Sequence, residues 1–140
     1  MIYRRDLIGH FKWLEGSVFI AREDARPLGQ LPERVAVSVV TIGELQLGVL
    51  AAEDDDTRAR RAETLSVARA ADPIPISEAV MVSWARLVAD CRSAGAHRVI
   101  KLTDALIAAT AVEHGLPVVT RDGDYEKLAA AHPALRVLNV

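Results

Sequence analysis

Cysteine is nearly absent from this chain: Cys91 is the single one in 140 residues. That excludes an internal disulfide framework and any zinc site built from several cysteines. Long apolar runs are missing as well, none approaching the ~18 residues of a membrane span. Asp6, His10, Lys12 and Glu15 interrupt the stretch Met1–Ala21, so it does not read as a signal peptide, and a cytoplasmic protein is the expectation. Repeats and low-complexity tracts are lacking, and so is a surplus of basic residues, the net charge being −2. Phosphate binding normally draws on surplus Lys and Arg. Acids gathered around a cation, however, invert the field at their own site. Where the acids sit therefore matters more than how many there are.

What remains is an ordinary globular composition, 51% hydrophobic and 26% charged, too apolar for a disordered chain. The length suits one domain, which at this size buries roughly two thirds of its extended surface. Short β-rich runs alternate with helical patterns. Phe11–Ile20 reads as a strand, a tight turn at Glu15-Gly16-Ser17 and a helix start; Arg22–Glu33 reads as a loop with a short helix. Val35–Val40 is a compact apolar run that predicts a buried strand, and Thr41 then caps a helix with Ile42, Leu45 and Val49 on one face. The acidic run Glu53–Asp56 reads as a solvated turn that favours the next helix N-terminus.

That helix is expected over Thr57–Ala70, with Ala62, Leu65 and Ala68 inward, followed by a short extended segment at Ile74-Pro75-Ile76. Ser77 begins a strongly patterned helix whose stripe is Val80, Trp84, Leu87, Val88 and Cys91, and Gly95 ends it. A basic loop with His97, Arg98 and Lys101 leads to Thr103, expected to cap a helix that carries Asp104 in its first turn and stops at Gly115. Leu116–Thr120 is an apolar strand running into the turn Arg121-Asp122-Gly123-Asp124; a short helix from Tyr125 and a last strand in Leu135–Val140 follow. The alternation predicts an α/β fold, a parallel sheet with helices on both faces.

Ligands of such sheets bind beyond the carboxyl ends of the strands. The polar residues expected there are Glu15 and Ser17, Thr41 and Glu44, and Asp122 and Asp124, with Asp104 joining from its helix start. Each has a bland explanation alone, as a turn residue or a partner of a helix dipole. Together they are acids from four remote places. Carboxylates crowded without partners repel one another, and a hard cation such as Mg²⁺ or Mn²⁺ removes that cost through oxygen ligands. A divalent ion so held can bridge a phosphodiester oxygen, acidify a water and stabilise the leaving oxygen.

Three segments resemble the acidic motifs of PIN-domain ribonucleases, and most closely those of VapC toxins. Val37-Ser-Val-Val-Thr-Ile-Gly-Glu44-Leu-Gln-Leu-Gly-Val resembles the second motif, Thr103-Asp104-Ala-Leu-Ile-Ala-Ala-Thr-Ala the third, and Leu116-Pro-Val-Val-Thr-Arg-Asp122-Gly-Asp124-Tyr the fourth. The likeness runs from about Leu14 to Val140, leaving residues 1–13 as an extension and first strand ahead of a single domain over 14–140. It implies a three-layer α/β/α, PIN-like fold with a mainly parallel central sheet. The first motif departs from the pattern: in Trp13-Leu14-Glu15-Gly16-Ser17, Glu15 stands where the family has aspartate, and Gly16 where it has a small hydroxyl residue. Asp6 is the rival for this position, less suited because Tyr3-Arg4-Arg5 makes a poor buried strand.

The resemblance implies a divalent-metal-dependent endoribonuclease toxin in which a metal-activated water cleaves RNA. Glu15, Asp104 and Asp122 would hold Mg²⁺ or Mn²⁺, with Glu44 and Asp124 as further or water-mediated ligands. Ser17 and Thr41 would hydrogen-bond the carboxylates or a phosphate, and Arg98, Lys101 and Arg121 would grip the RNA backbone. His97 and His114 have no role in this scheme. A homodimer, a VapB-like antitoxin whose arginine pairs with the acids, and no membrane partner are also implied. The longer Glu15 leaves two outcomes open, a working or detuned nuclease and an inactive module that acts only by binding partners. A metal-dependent phosphatase of another α/β fold is the remaining rival, for which Glu15 is a poor nucleophile.

Overall fold

A computed structural model of the chain describes residues 12–14, 35–95 and 100–140. The described elements run β1 (Lys12–Leu14), β2 (Val35–Ala36), α1 (Val39–Leu50), α2 (Asp55–Arg69), α3 (Glu78–Ser93), α4 (Leu102–Glu113), β3 (Val118–Thr120), α5 (Asp124–Ala131) and β4 (Val137–Asn139). The strands form one parallel sheet in the order β2-β1-β3-β4. In register, Trp13 faces both Ala36 and Val118, and Val118 faces Val137.

Alternation along the strands divides the core in two. Val118 and Ala36 pack with Leu87 and Cys91 of α3, Ile107 and Ala108 of α4, and Tyr125 and Leu128 of α5. Val119 and Val37 pack on the opposite side with Leu45 of α1 and Leu65 and Ala68 of α2. The result is the expected α/β arrangement, three layers with helices on both faces of a parallel sheet. Within α4, Ala105, Ile107, Ala108, Ala109, Thr110 and Ala111 are all buried; small side chains let this helix sit between α3 and the sheet.

Helix starts follow side-chain chemistry, not always at the expected residue. Ser38, not Thr41, caps α1, its hydroxyl accepting from the Val40 amide at 3.0 Å. The strand ends at Ala36, and Val39-Val40 belong to the first turn of α1. A short apolar run does not by itself distinguish strand from buried helix, which is why Val35–Val40 reads as one strand. Ser38 also bridges to Ile74, with Val39 N–H donating to the Ile74 carbonyl at 3.1 Å and Ile74 N–H to the Val37 carbonyl at 2.8 Å. Thr103 likewise lies inside α4; Lys101 holds the cap position with no side-chain hydrogen bond. Ala62 is exposed on α2, leaving Leu65 and Ala68 as its buried residues. Ser77 caps α3 as expected, and Gly95 and Gly115 follow α3 and α4 at φ 75° and 65°, where the absence of Cβ removes the steric cost.

Candidate metal centre

Parallel strands place all their carboxyl ends on one edge. Here β1 connects to its neighbour β2 on one side and β3 to β4 on the other, so the order reverses between β1 and β3. That reversal opens a crevice where α/β sheets bind ligands. Beyond Thr120, the last residue of β3, the chain turns tightly. The buried Thr120 hydroxyl accepts from the Asp122 amide at 2.9 Å, and Asp122 Oδ1 accepts from the Asp124 amide at 2.9 Å. Both aspartates are thereby fixed beside the crevice by their own turn, and both are half-buried.

Asp104 reaches the same place from the first turn of α4. It is 6% exposed, an unusual setting for a carboxylate. One side-chain oxygen each from Asp104, Asp122 and Asp124 lie within 4.8 Å of one another. The fully buried Tyr125 donates its hydroxyl to Asp104 Oδ1 at 3.4 Å, and the Lys127 ammonium donates to Asp124 Oδ1 at 3.2 Å. The donors are oxygen alone, with neither imidazole nor thiolate, which suits a hard cation of the Mg²⁺ or Mn²⁺ type. Three such oxygens, one on a nearly buried side chain, fit that group chemically.

The other expected site residues are distributed differently. Glu44 is exposed in the second turn of α1 and stands outside this trio. Thr41 is fully buried, and its hydroxyl finds no hydrogen-bond partner among the described residues. Lys101 is exposed and lines a cleft next to Asp104, while Arg121 is exposed on the turn after β3. Glu15, Ser17 and Arg98, with the rival Asp6 and with His97, lie outside the described residues. His114 caps the C-terminus of α4, where partial burial pushes its imidazole below the usual histidine range. Tyr125 and Lys127 escaped the sequence reading, although Lys127 follows Asp124 by the three residues at which helical side chains meet.

The fold and the trio together define a parallel α/β domain with an acidic centre at its switch point. The family model described as PIN domain matches residues 11–131, and the chain belongs to the PIN-domain family. Similar proteins include Ribonuclease VapC8 of Mycobacterium tuberculosis, 69% identical over 98 residues that cover 70% of this chain and 88% of that one. Ribonuclease VapC4 of the same organism is 43% identical over 129 residues, 89% of this chain and 92% of its own. Among solved structures, the chain is similar to VapBC-5 from M. tuberculosis, a member of the VapBC family of toxin–antitoxin systems. That match has a TM-score of 0.81 at 36% identity and covers 94% of this chain and 99% of the other.

Proposed function

We propose that this chain is the endoribonuclease toxin of a toxin–antitoxin pair and that its activity depends on Mg²⁺ or Mn²⁺. The observation that carries the reading is the meeting of Asp104, Asp122 and Asp124 at the carboxyl edge of the sheet. Its similarity to proteins named Ribonuclease VapC supports the substrate class. Asp104, Asp122 and Asp124 would hold the cation, with Glu15, the residue after β1, as a further ligand and Glu44 in support. A bound divalent ion supplies positive charge for the phosphodiester transition state and lowers the pKa of water enough to make a nucleophile at neutral pH.

The protein's own contribution is positioning. The turn after Thr120 holds the Asp122 carboxylate through the Asp124 amide, Lys127 donates to the Asp124 carboxylate, and Tyr125 donates to that of Asp104. Lys101, Arg121 and Arg98 meet the RNA backbone and Ser17 bonds to a carboxylate or phosphate, whereas Thr41, fully buried, is out of reach of the RNA. The antitoxin partner is of the VapB type, the functional toxin is a homodimer, and the pair acts in the cytoplasm. No helix of the described residues is long and apolar enough to cross a membrane.

A Mn²⁺ titration with a fluorogenic RNA tests the reading. Metal-dependent cleavage that Asp104→Asn abolishes is the expected result. Hydrolysis of small phosphate esters without RNA cleavage would point instead to a phosphatase, and tight antitoxin binding without either activity to an inactive module. A Glu15→Asp variant run alongside distinguishes a detuned centre, which it would accelerate, from a fully working one.

A further inference from the structure

Beside the acid trio lies a cleft of about 280 Å³, lined by Ala94, Gly95, Ile100, Lys101, Leu128 and Lys127, with Asp104 and Asp124 also bordering it. Its volume falls just below the roughly 300–1,000 Å³ typical of small-ligand sites, room for no more than one nucleotide-sized group. The lining divides chemically. Ile100 and Leu128 are aliphatic and half-buried or buried, whereas Lys101 and Lys127 are exposed cations. Lys127 donates to Asp124 at 3.2 Å, yet an ammonium has three donors, so this contact leaves capacity for an anion. Lys101 and Lys127 offset the charge of Asp104 and Asp124 on the same lining and offer donors to an anion, while the aliphatic wall disfavours a free inorganic anion. An anion joined to a flat apolar-faced group satisfies both halves.

We propose that this cleft binds one unpaired nucleotide of the RNA, next to the phosphodiester that is cut. Its base lies against Ile100 and Leu128, and its phosphate is held by Lys101 and Lys127. The inference rests on the ribonuclease reading and deepens it, because it assigns a binding place for the residue flanking the scissile bond. Single-stranded RNA offers such splayed bases, and duplex RNA does not. Lys127 thereby becomes a substrate-binding residue that also steadies Asp124.

The test uses the full chain and a fluorophore–quencher RNA oligonucleotide whose cleavage position has been mapped. A Lys101→Ala/Lys127→Ala double variant is compared with Arg60→Ala/Arg69→Ala, which removes equal charge from exposed positions on α2. The expected result is a rise in KM of about tenfold for the first pair only, with the salt dependence of KM weakened by loss of two phosphate contacts. An abasic nucleotide at the flanking position is expected to raise KM roughly five- to tenfold for the unmodified protein, since apolar burial of the base is lost. If both lysine and arginine pairs shift KM equally and the abasic substrate is cut normally, the cleft assignment is overturned while RNA cleavage stands. If the unmodified protein cuts no RNA, the ribonuclease reading fails first. Fluorescence anisotropy with the same oligonucleotide then decides the cleft: weaker binding by the lysine pair alone keeps it, and equal binding by all three proteins overturns it.

Discussion

Two groups of acids among the described residues behave in opposite ways. Glu53–Asp56 is the chain's longest uninterrupted run of acids, yet every member is exposed and the hydrogen bonds shown there are local. Asp54 accepts from the Thr57 amide at 2.7 Å and caps α2, while Asp55 pairs with Arg58 at 2.8 Å. Asp104, Asp122 and Asp124 are scattered by comparison, and the fold gathers them within 4.8 Å. Density along the sequence thus stabilises a helix end, whereas density in space makes a centre that can hold a cation. An exposed acid relieves its charge in water and on neighbours three residues away. A nearly buried one such as Asp104 is largely shielded from water and accepts from a side chain remote in sequence, Tyr125.

Substitution can break this contrast. The largest effect is expected from Asp104→Asn, which should lower Mn²⁺-dependent RNA cleavage by ~10²-fold or more, since the proposed metal centre would lose a charged ligand. Asp55→Asn, the same chemical change in the acidic run, should leave the rate alone. Equal losses in the two variants, read by the fluorogenic RNA assay, would erase the distinction. The scaffold that gathers the trio comes next. Leu87 is fully buried under α4, and Leu87→Ala should cost about 2–5 kcal/mol in urea unfolding through the cavity it leaves.

A smaller effect is expected at Tyr125→Phe, which keeps the ring and removes the hydroxyl that Asp104 accepts. Mn²⁺ affinity, measured by calorimetry, should fall by about tenfold, the lower end of what supporting hydrogen bonds contribute to metal sites. Unchanged affinity would show that the turn alone positions the acids.

The smallest effect belongs to the cap of α2. Hydrogen bonds from the Thr57 amide and then its hydroxyl hold the Asp54 carboxyl below its ordinary value of 3.8. A lowered folded-state pKa means that its stabilising contribution is present above pH ~4 and is lost as the pH falls through the folded value. Acid unfolding of Asp54→Ala should therefore be slightly flatter below pH 4 than that of the unmodified chain. A profile unchanged by the substitution would remove the capping role from the acidic run.

Much of this architecture was legible from local chemistry. Ser77, Gly95 and Gly115 mark helix ends because a hydroxyl cap and a residue free of Cβ do their work within a turn. The stripe Val80, Leu87 and Cys91 shows a buried face through its periodicity alone. Three readings failed for want of context. Val39-Val40 look like strand but start α1, because Ser38 is drawn to Ile74, a neighbour that no local pattern shows. Thr103 has the better cap chemistry, yet α4 begins at Leu102, and burial of α4 against α3 and the sheet outweighs a missing cap bond. Ala62 fits the period of α2 but stays exposed, since α1 covers only the stripe of Leu65 and Ala68.

The sequence by itself determined the alternation of strands and helices, most helix ends, and which acids fall near strand ends, because each depends on propensities and hydrogen bonds that span a few residues. The sequence reading expected Asp104, Asp122 and Asp124 to share a cation; only the tertiary structure decided how closely they meet, that Tyr125 and Lys127 contact them, and that a cleft with two lysines opens alongside. Those facts depend on strand order and on the packing of α4 between α3 and the sheet, and contacts between remote segments leave no trace in any one of them.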